Sequence, residues 1–252
     1  MSRKQKTLES PTDRILPAVA AMKFWSRFQN PPPMLAFTFA EPPGNVAESF
    51  DELSRLPQLP TDDSLVYSLR ISLNGSKPSV WRRILVKAIN LETLHHVVQF
   101  TMGWNDSHLH EFEIRKVRVP LVEDGASIDE RSVSIAQLHA ARIKKFRYTY
   151  DFGDDWRHTI SIEKAFTASP ECDYPLCITG KGTCPLEDVG GMWRWTKLLE
   201  AVRSPETRRD DEIKLLFERL GTDFVPVHFD RETINERLRL AFNKNVRRKG
   251  GA

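Results

Sequence analysis

Tyr148-Thr149-Tyr150-Asp151-Phe152-Gly153-Asp154-Asp155-Trp156-Arg157-His158 is the stretch on which the fold class turns. Phe146, Tyr148, Tyr150 and Phe152 alternate with polar residues on the way in, and Trp156, His158, Ile160 and Ile162 alternate on the way out. Alternation with period two puts one set of side chains on one face of a strand, and Gly153 supplies a residue that tolerates positive φ between the two runs. A three-residue loop at Gly153–Asp155 pairs Phe152 with Trp156, Asp151 with Arg157 and Tyr150 with His158. Aromatic and opposite-charge pairs each stabilise a sheet by ~0.2–1 kcal/mol, and aspartates around a tight turn accept from its backbone donors. A β-hairpin thus accounts for nearly every residue in the stretch.

Working outward, the same two-residue period recurs upstream in Leu65, Tyr67, Leu69, Ile71 and Leu73, with a turn at Asn74-Gly75 and a returning strand from Trp81 to Val86. Between the two hairpins the period changes. Asn90 caps a helix whose apolar residues Leu91, Leu94, Val97 and Val98 recur at helical spacing, and Gly103 ends it. His108 to Val119 reads as extended, and a short helix is expected around Ile135–Ala141. Downstream, helical spacing is read from Glu187 to Val202, from Asp211 to Leu220, and from an Asp230 cap through Ile234, Leu238 and Phe242. Hairpins without βαβ repeats predict an α+β fold, with a mainly antiparallel sheet and several packed helices.

The expected organisation is a single domain over residues 63–242, a Pro-rich arm over 1–62 and a basic tail over 243–252. Pro31-Pro32-Pro33 and Pro42-Pro43 disfavour ladders and long helices in the arm. Two of its pieces, Val19–Phe28 and Phe50–Leu56, have the pattern of short docking helices. With 40% hydrophobic residues the chain can bury a sizeable core; a domain of ~180 residues removes roughly 70% of its unfolded surface from water. A net charge of +3 falls short of the basicity that by itself marks a nucleic-acid binder. No signal peptide or spanning run is read, and three cysteines without a secretion signal do not suggest a disulfide framework, so the expectation is a cytoplasmic protein without a membrane partner.

Four ordered motifs carry a resemblance: Pro78-Ser79-Val80-Trp81-Arg82-Arg83, Gly103-Trp104-Asn105-Asp106-Ser107-His108-Leu109-His110-Glu111-Phe112, Tyr148 to His158, and Cys184-Pro185-Leu186-Glu187-Asp188-Val189-Gly190-Gly191. In this order they resemble the plasmid pRiA4b ORF-3-like family, whose members include insertion-element passenger proteins. The resemblance implies an α+β domain with a mobile-element setting and no defined activity. Leu186 and Met192-Trp193-Arg194-Trp195 depart from the family pattern around the double glycine.

Candidate chemistry gathers in three of these motifs. In a strand, His108 and His110 project to one face about 7 Å apart, so they are the first candidates to share a metal, with Trp104 marking the turn before them. Asp151, Asp154, Asp155, Trp156 and His158 form the hairpin set, and Glu187 with Asp188 supplies further carboxylates at an expected helix start, where the dipole favours them. The spacing of Cys172, Cys177 and Cys184 fits no common structural zinc pattern. Arg237, Arg239, Lys244, Arg247, Arg248 and Lys249 form a basic run suited to phosphates but lacking interleaved aromatics.

Two functions follow. The leading one is a non-catalytic interaction module linked to mobile elements, with nucleic acid or a protein as partner. The alternative is a small metal-dependent hydrolase-like enzyme with a His/Asp/Glu site. No cofactor is firmly implied, and a divalent metal is the one group the residues could hold.

Overall fold

The computed structural model describes residues 53, 55–57, 64–123, 126–204, 211, 214–215 and 228–242. The expected Val19–Phe28 helix, most of the arm, nearly all of the Asp211–Leu220 helix and the tail residues Lys244, Arg247, Arg248 and Lys249 lie outside these. Leu53 and Leu56, in the expected Phe50–Leu56 piece, are buried within the hydrophobic core.

The main sheet has seven antiparallel strands in the order β4-β3-β7-β8-β1-β2-β9. They are β1 (Leu65–Leu73), β2 (Val80–Val86), β3 (His110–Ile114), β4 (Val117–Val119), β7 (Lys145–Tyr150), β8 (Trp156–Thr167) and β9 (Leu176–Lys181). A separate two-stranded ribbon pairs β5 (Leu121–Glu123) with β6 (Ala126–Ile128). Among the described residues, four helices with both ends defined accompany them: α1 (Leu91–Met102), α2 (Ile135–Ala140), α3 (Gly191–Arg203) and α4 (Arg231–Phe242). This is the expected α+β class.

Alternation decides the burial. Phe146, Tyr148 and Tyr150 of β7 and Trp156, His158, Ile160 and Ile162 of β8 are buried, while Lys145, Arg147 and Arg157 are exposed. One hydrophobic cluster joins the apolar and aromatic residues among the inward set to Leu94, Val97 and Val98 of α1, Leu198 and Leu199 of α3 and Leu238 of α4, with His158 buried beside Trp104 and Tyr148. The opposite face is polar and carries cross-strand ion pairs, among them Arg83–Glu163 and Arg147–Glu113.

Caps end the helices where the sequence says they should. Asn90 accepts from the Thr93 amide at 2.9 Å, Gly103 closes α1 at φ 88°, and Asp230 accepts from the Thr233 amide at 3.0 Å. Ser134 and Gln137 form a reciprocal capping box on α2. Asn235 of α4 uses its side-chain amide as a strand would, accepting from the Cys177 N–H at 2.7 Å and donating to the Cys177 carbonyl at 2.9 Å. Arg82 is buried and donates to the carbonyls of Trp81, Lys181 and Gly182, tying β2 to the loop that leads to Cys184.

Three expectations need correction. The hairpin register is Tyr148 opposite His158 and Tyr150 opposite Trp156, so the loop is Asp151–Asp155, two residues longer than expected. Asp151 and Asp155 both adopt φ 56°, and the Asp155 N–H closes the turn on the Asp151 carbonyl. Phe152 thereby leaves the strand for an exposed loop. The shift is even, so no side chain changes face. His108 precedes β3, and the extended run is split into β3 and β4 by Arg115-Lys116, both at positive φ. The helix expected from Glu187 starts at Gly191, because Asp188 and the N-cap residue Gly190 take left-handed φ values of 56° and 91° that a right-handed helix does not admit.

Candidate functional site

The longer hairpin loop brings the chemistry together. Asp151 divides its carboxylate: Oδ1 accepts from the Gly153 and Asp154 amides at 2.9 and 3.2 Å, and Oδ2 faces His108 Nε2 at 3.6 Å. Asp188 Oδ1 lies 3.0 Å from the same nitrogen. Neither carboxylate is aligned as a hydrogen-bond acceptor for it, and the nitrogen itself is shielded from solvent. One donor atom from each of His108, Asp151 and Asp188 falls within 4.8 Å of the others, a spacing that a metal ion can bridge.

Three chain segments meet here, and hydrogen bonds donated by backbone amides hold them in register. The Asp151 amide donates to the Leu109 carbonyl at 2.9 Å, and the Gly190 amide donates to Asp154 Oδ2 at 3.1 Å. Gly191 packs so closely on the hairpin that a Cβ there would lie 2.9 Å from the Asp154 carbonyl oxygen. Glu187 acts beneath the cluster. Its Oε1 accepts from the Tyr150 hydroxyl in a short hydrogen bond, and its Oε2 accepts from the Asn105 amide and side chain at 2.9 and 2.7 Å. The Tyr150 hydroxyl accepts in turn from the Ser107 amide at 2.9 Å. Burial, and then the Glu187 carboxylate, push the Tyr150 hydroxyl above its ordinary pKa. Trp104 is buried, stacks on Tyr150 and Trp156, and donates to the Pro185 carbonyl at 3.0 Å.

His110 departs from the expected pairing with His108. Its ring lies flat on His95, with centroids 3.5 Å apart and planes 6° apart, and its Nε2 is 3.0 Å from Glu130 Oε2. His95 belongs to a closed circuit of hydrogen bonds. The Asp106 amide donates to Gln99 Oε1 at 3.2 Å, which makes the Gln99 nitrogen the donor to the Tyr148 hydroxyl at 3.0 Å. Tyr148 donates to His95 Nδ1 at 2.7 Å, so the His95 proton sits on Nε2 and is donated to Asp106 Oδ1 at 2.7 Å. Burial, with the His110 charge added, holds His95 neutral down to about 3. For Asp106, burial pushes the carboxyl pKa up, but hydrogen bonds from His95 and His96 outweigh it and hold the pKa below the usual carboxylate range. His95, Asp106 and His110 also place one donor atom each within 4.8 Å of the others.

The remaining candidates lie apart. His158 is fully buried among Trp104 and Tyr148, its ring nitrogens have no hydrogen-bond partner of good geometry, and burial lowers it to about 4. Asp155 is turned outward onto Arg157. Asp154 serves the Gly190 amide, and Trp156 is core. Neither metal-compatible group among the described residues contains a cysteine. Arg237 packs over Gly103 and Arg239 pairs with Glu236 on α4. Asp106 and Glu130 are not among the candidate residues read from the sequence, and His95 reads there as core packing. The one local signal is that Asp106 lies in the same Gly103–Phe112 motif as His108 and His110.

Asp106, Asp151, Asp155 and Asp188 each adopt φ 56°, a conformation that costs a non-glycine residue energy. Asp106, Asp151 and Asp188 lie beside histidines, and Asp155 beside Arg157.

Comparison with known proteins agrees with the fold. An uncharacterised protein, y4hQ, of Sinorhizobium fredii is 40% identical over 152 residues, which is 58% of this chain and 78% of the relative. The crystal structure of MM3350, a protein of unknown function from Methanosarcina mazei, superposes with a TM-score of 0.61 at 31% identity, covering 69% of this chain and 98% of that one. No described helix is long and apolar enough to cross a membrane. Residues 65–233 match the sequence model of the plasmid pRiA4b ORF-3-like proteins from the first strand into the last helix, and the chain belongs to that family.

Proposed function

We propose that this domain is a metal-dependent, hydrolase-like protein whose divalent cation is held by His108, Asp151 and Asp188. The observation that carries the reading is the His108 nitrogen: it is shielded from solvent and flanked by two carboxylates, with neither aligned to accept its hydrogen bond. One imidazole and two carboxylates suit Mn²⁺ or Zn²⁺. Three protein ligands leave coordination positions open to water and substrate, and a bound cation acidifies that water and polarises a carbonyl or phosphoryl oxygen. Asp188, with its side chain 64% exposed, lies on the open side, where a substrate would enter. Glu187 and Tyr150 hold the His108 loop against the Asp188 loop. The interaction-module reading rests on the family's mobile-element setting, the arm and the tail, and no feature of the described residues favours it over the metal site.

The test starts from full-length protein stripped with chelator and titrated with Mn²⁺ and Zn²⁺. We expect saturable binding with a raised melting temperature, and loss of the equivalent held by His108, Asp151 and Asp188 in Asp188→Asn and His108→Ala. Hydrolysis of chromogenic esters and phosphodiesters should then depend on the metal. Absence of binding at millimolar cation overturns the metal site; metal binding without hydrolysis of any of these substrates overturns the hydrolytic role alone.

A further inference from the structure

We infer that the outward face of the main sheet, across β7, β8, β1, β2 and β9, is a binding surface for single-stranded nucleic acid. Strand register assembles it. One row runs Arg147–Thr159–Ser72–Trp81–Lys181, each residue opposite the next on the neighbouring strand. The adjoining row runs Lys145–Ser161–Arg70–Arg83–Thr179 in the same way. Facing residues in a ladder stand about 5 Å apart, and residues two apart on one strand about 7 Å, so the rows form one continuous patch. Every residue in both rows is exposed or half-buried, whereas Phe146, Ile160, Ile71 and Arg82, which alternate with them, are buried.

The patch is cationic by construction. Neither row contains a carboxylate. Glu163 reaches Arg83 at 2.7 Å and Glu113 of β3 reaches Arg147 at 3.0 Å, but among the described residues Lys145 and Lys181 have no carboxylate partner. Arg70 sits directly opposite Arg83. Like charges so placed cost a sheet stability, and an anion laid across the pair removes that repulsion. All four helices contribute to the one core cluster on the opposite face, and none of them covers these rows.

The planar groups select nucleic acid among polyanions. Arg70 Cζ lies 4.0 Å from the centre of the Trp81 ring, and Arg83 Cζ lies 5.7 Å from it. Guanidinium and indole planes are the platforms on which unstacked bases lie. Hydroxyls between the cations suit phosphate and sugar oxygens. Ser72 Oγ accepts from Arg70 Nε at 3.3 Å, which leaves its own proton to donate. At about 4.8 Å per strand, β7 and β9 are about 19 Å apart, the reach of several nucleotides. A B-form groove admits a helix or a two-stranded ribbon, not a five-stranded face, so a duplex does not fit. An acidic peptide would pair with the cations but leave the Arg70–Trp81 stack unused. This surface stands apart from the His108 cluster and requires no metal.

The test is fluorescence anisotropy of a labelled oligo(dT) with the full-length chain over a range of salt. We expect binding whose logarithm falls with log salt at a slope of about −3, as for some four neutralised phosphates of a single strand. Replacing both lysines, Lys145→Gln with Lys181→Gln, should flatten that slope by about 1.4. Trp81→Ala should weaken binding about tenfold at an unchanged slope, because stacking carries no counterions. Arg70→Gln should weaken binding while the melting temperature holds or rises, since the like-charge pair is gone. Should Trp81→Ala fail to fold, the exposed lysines still decide through the slope. No binding at low salt overturns the inference. Binding that keeps both slope and affinity in the lysine variant belongs to the basic tail and also overturns it. Labelled poly(glutamate) bound as tightly as oligo(dT) overturns the choice of nucleic acid.

Discussion

The His108 and His110 side chains, two residues apart and expected to share one ion, face different partners: His108 Nε2 lies 3.0 Å from Asp188, whereas the His110 ring stacks at 3.5 Å on His95. The ladder explains the split. His110 is the first residue of β3 to pair, opposite Tyr150, while His108 precedes the strand and is set by the Asp151–Leu109 hydrogen bond and the Asp188 loop. One short segment thus feeds two clusters.

Glu187 is the clamp between those loops, and its removal has a predictable cost. Glu187→Gln keeps the size but replaces one acceptor oxygen with a donor, so the Tyr150 hydroxyl and the Asn105 donors cannot all be satisfied. Stability should fall by about 1–2 kcal/mol in urea denaturation, less than for a fully buried pair because Asn105 is exposed. A change too small to measure would mean that the short Tyr150–Glu187 contact does not constrain the loops.

Gly191 and Gly75 make a matched pair. Both have positive φ, 79° and 76°, but a Cβ at Gly191 would lie 2.9 Å from the Asp154 carbonyl oxygen, whereas at Gly75 its nearest neighbour would be Met192 Cγ at 3.7 Å. Gly75→Ala should therefore cost only the backbone penalty of about 1 kcal/mol. Gly191→Ala should cost about 2 kcal/mol or more and weaken metal binding, because the hairpin tip must move away from the Asp188 loop. Equal costs in thermal denaturation would refute the close approach.

His158 makes stability depend on pH. Burial lowers its folded pKa to about 4 from an ordinary 6.5. Between those values the unfolded chain binds a proton that the folded chain refuses, so stability rises with pH across the window. The contribution is fully present above pH 6.5, is lost as pH falls towards 4, and amounts to on the order of 3 kcal/mol. His158→Phe should flatten the slope of unfolding free energy between pH 4 and 7; an unchanged slope would assign the acid sensitivity to other groups.

Much of this architecture was determined by the sequence itself. The two-residue alternation of Leu65–Leu73 and Phe146–Tyr150, the Asn90 and Asp230 caps and the terminating Gly103 act within a few residues of themselves. Steric and hydrogen-bonding preferences at that range suffice to place strands, helices and turns. The motif order was likewise enough for the family. The loop length of the hairpin was not legible, because Asp151 and Phe152 fit an alternating strand locally. What draws them out is the contact of the hairpin tip with Gly190-Gly191, some 40 residues away in sequence.

The site belongs to the tertiary structure for the same reason. His108, Asp151 and Asp188 come from three segments, and His95, Asp106, His110 and Glu130 from four. No local preference tells a carboxylate which distant histidine it will face. That choice is made by sheet order, by the even register of β7 on β8, and by the loops that carry Asp106, Asp151 and Asp188 to their histidines. The sequence determined which residues could carry chemistry, and only the packing of the sheet against α1 and the Asp188 loop decided which of them meet.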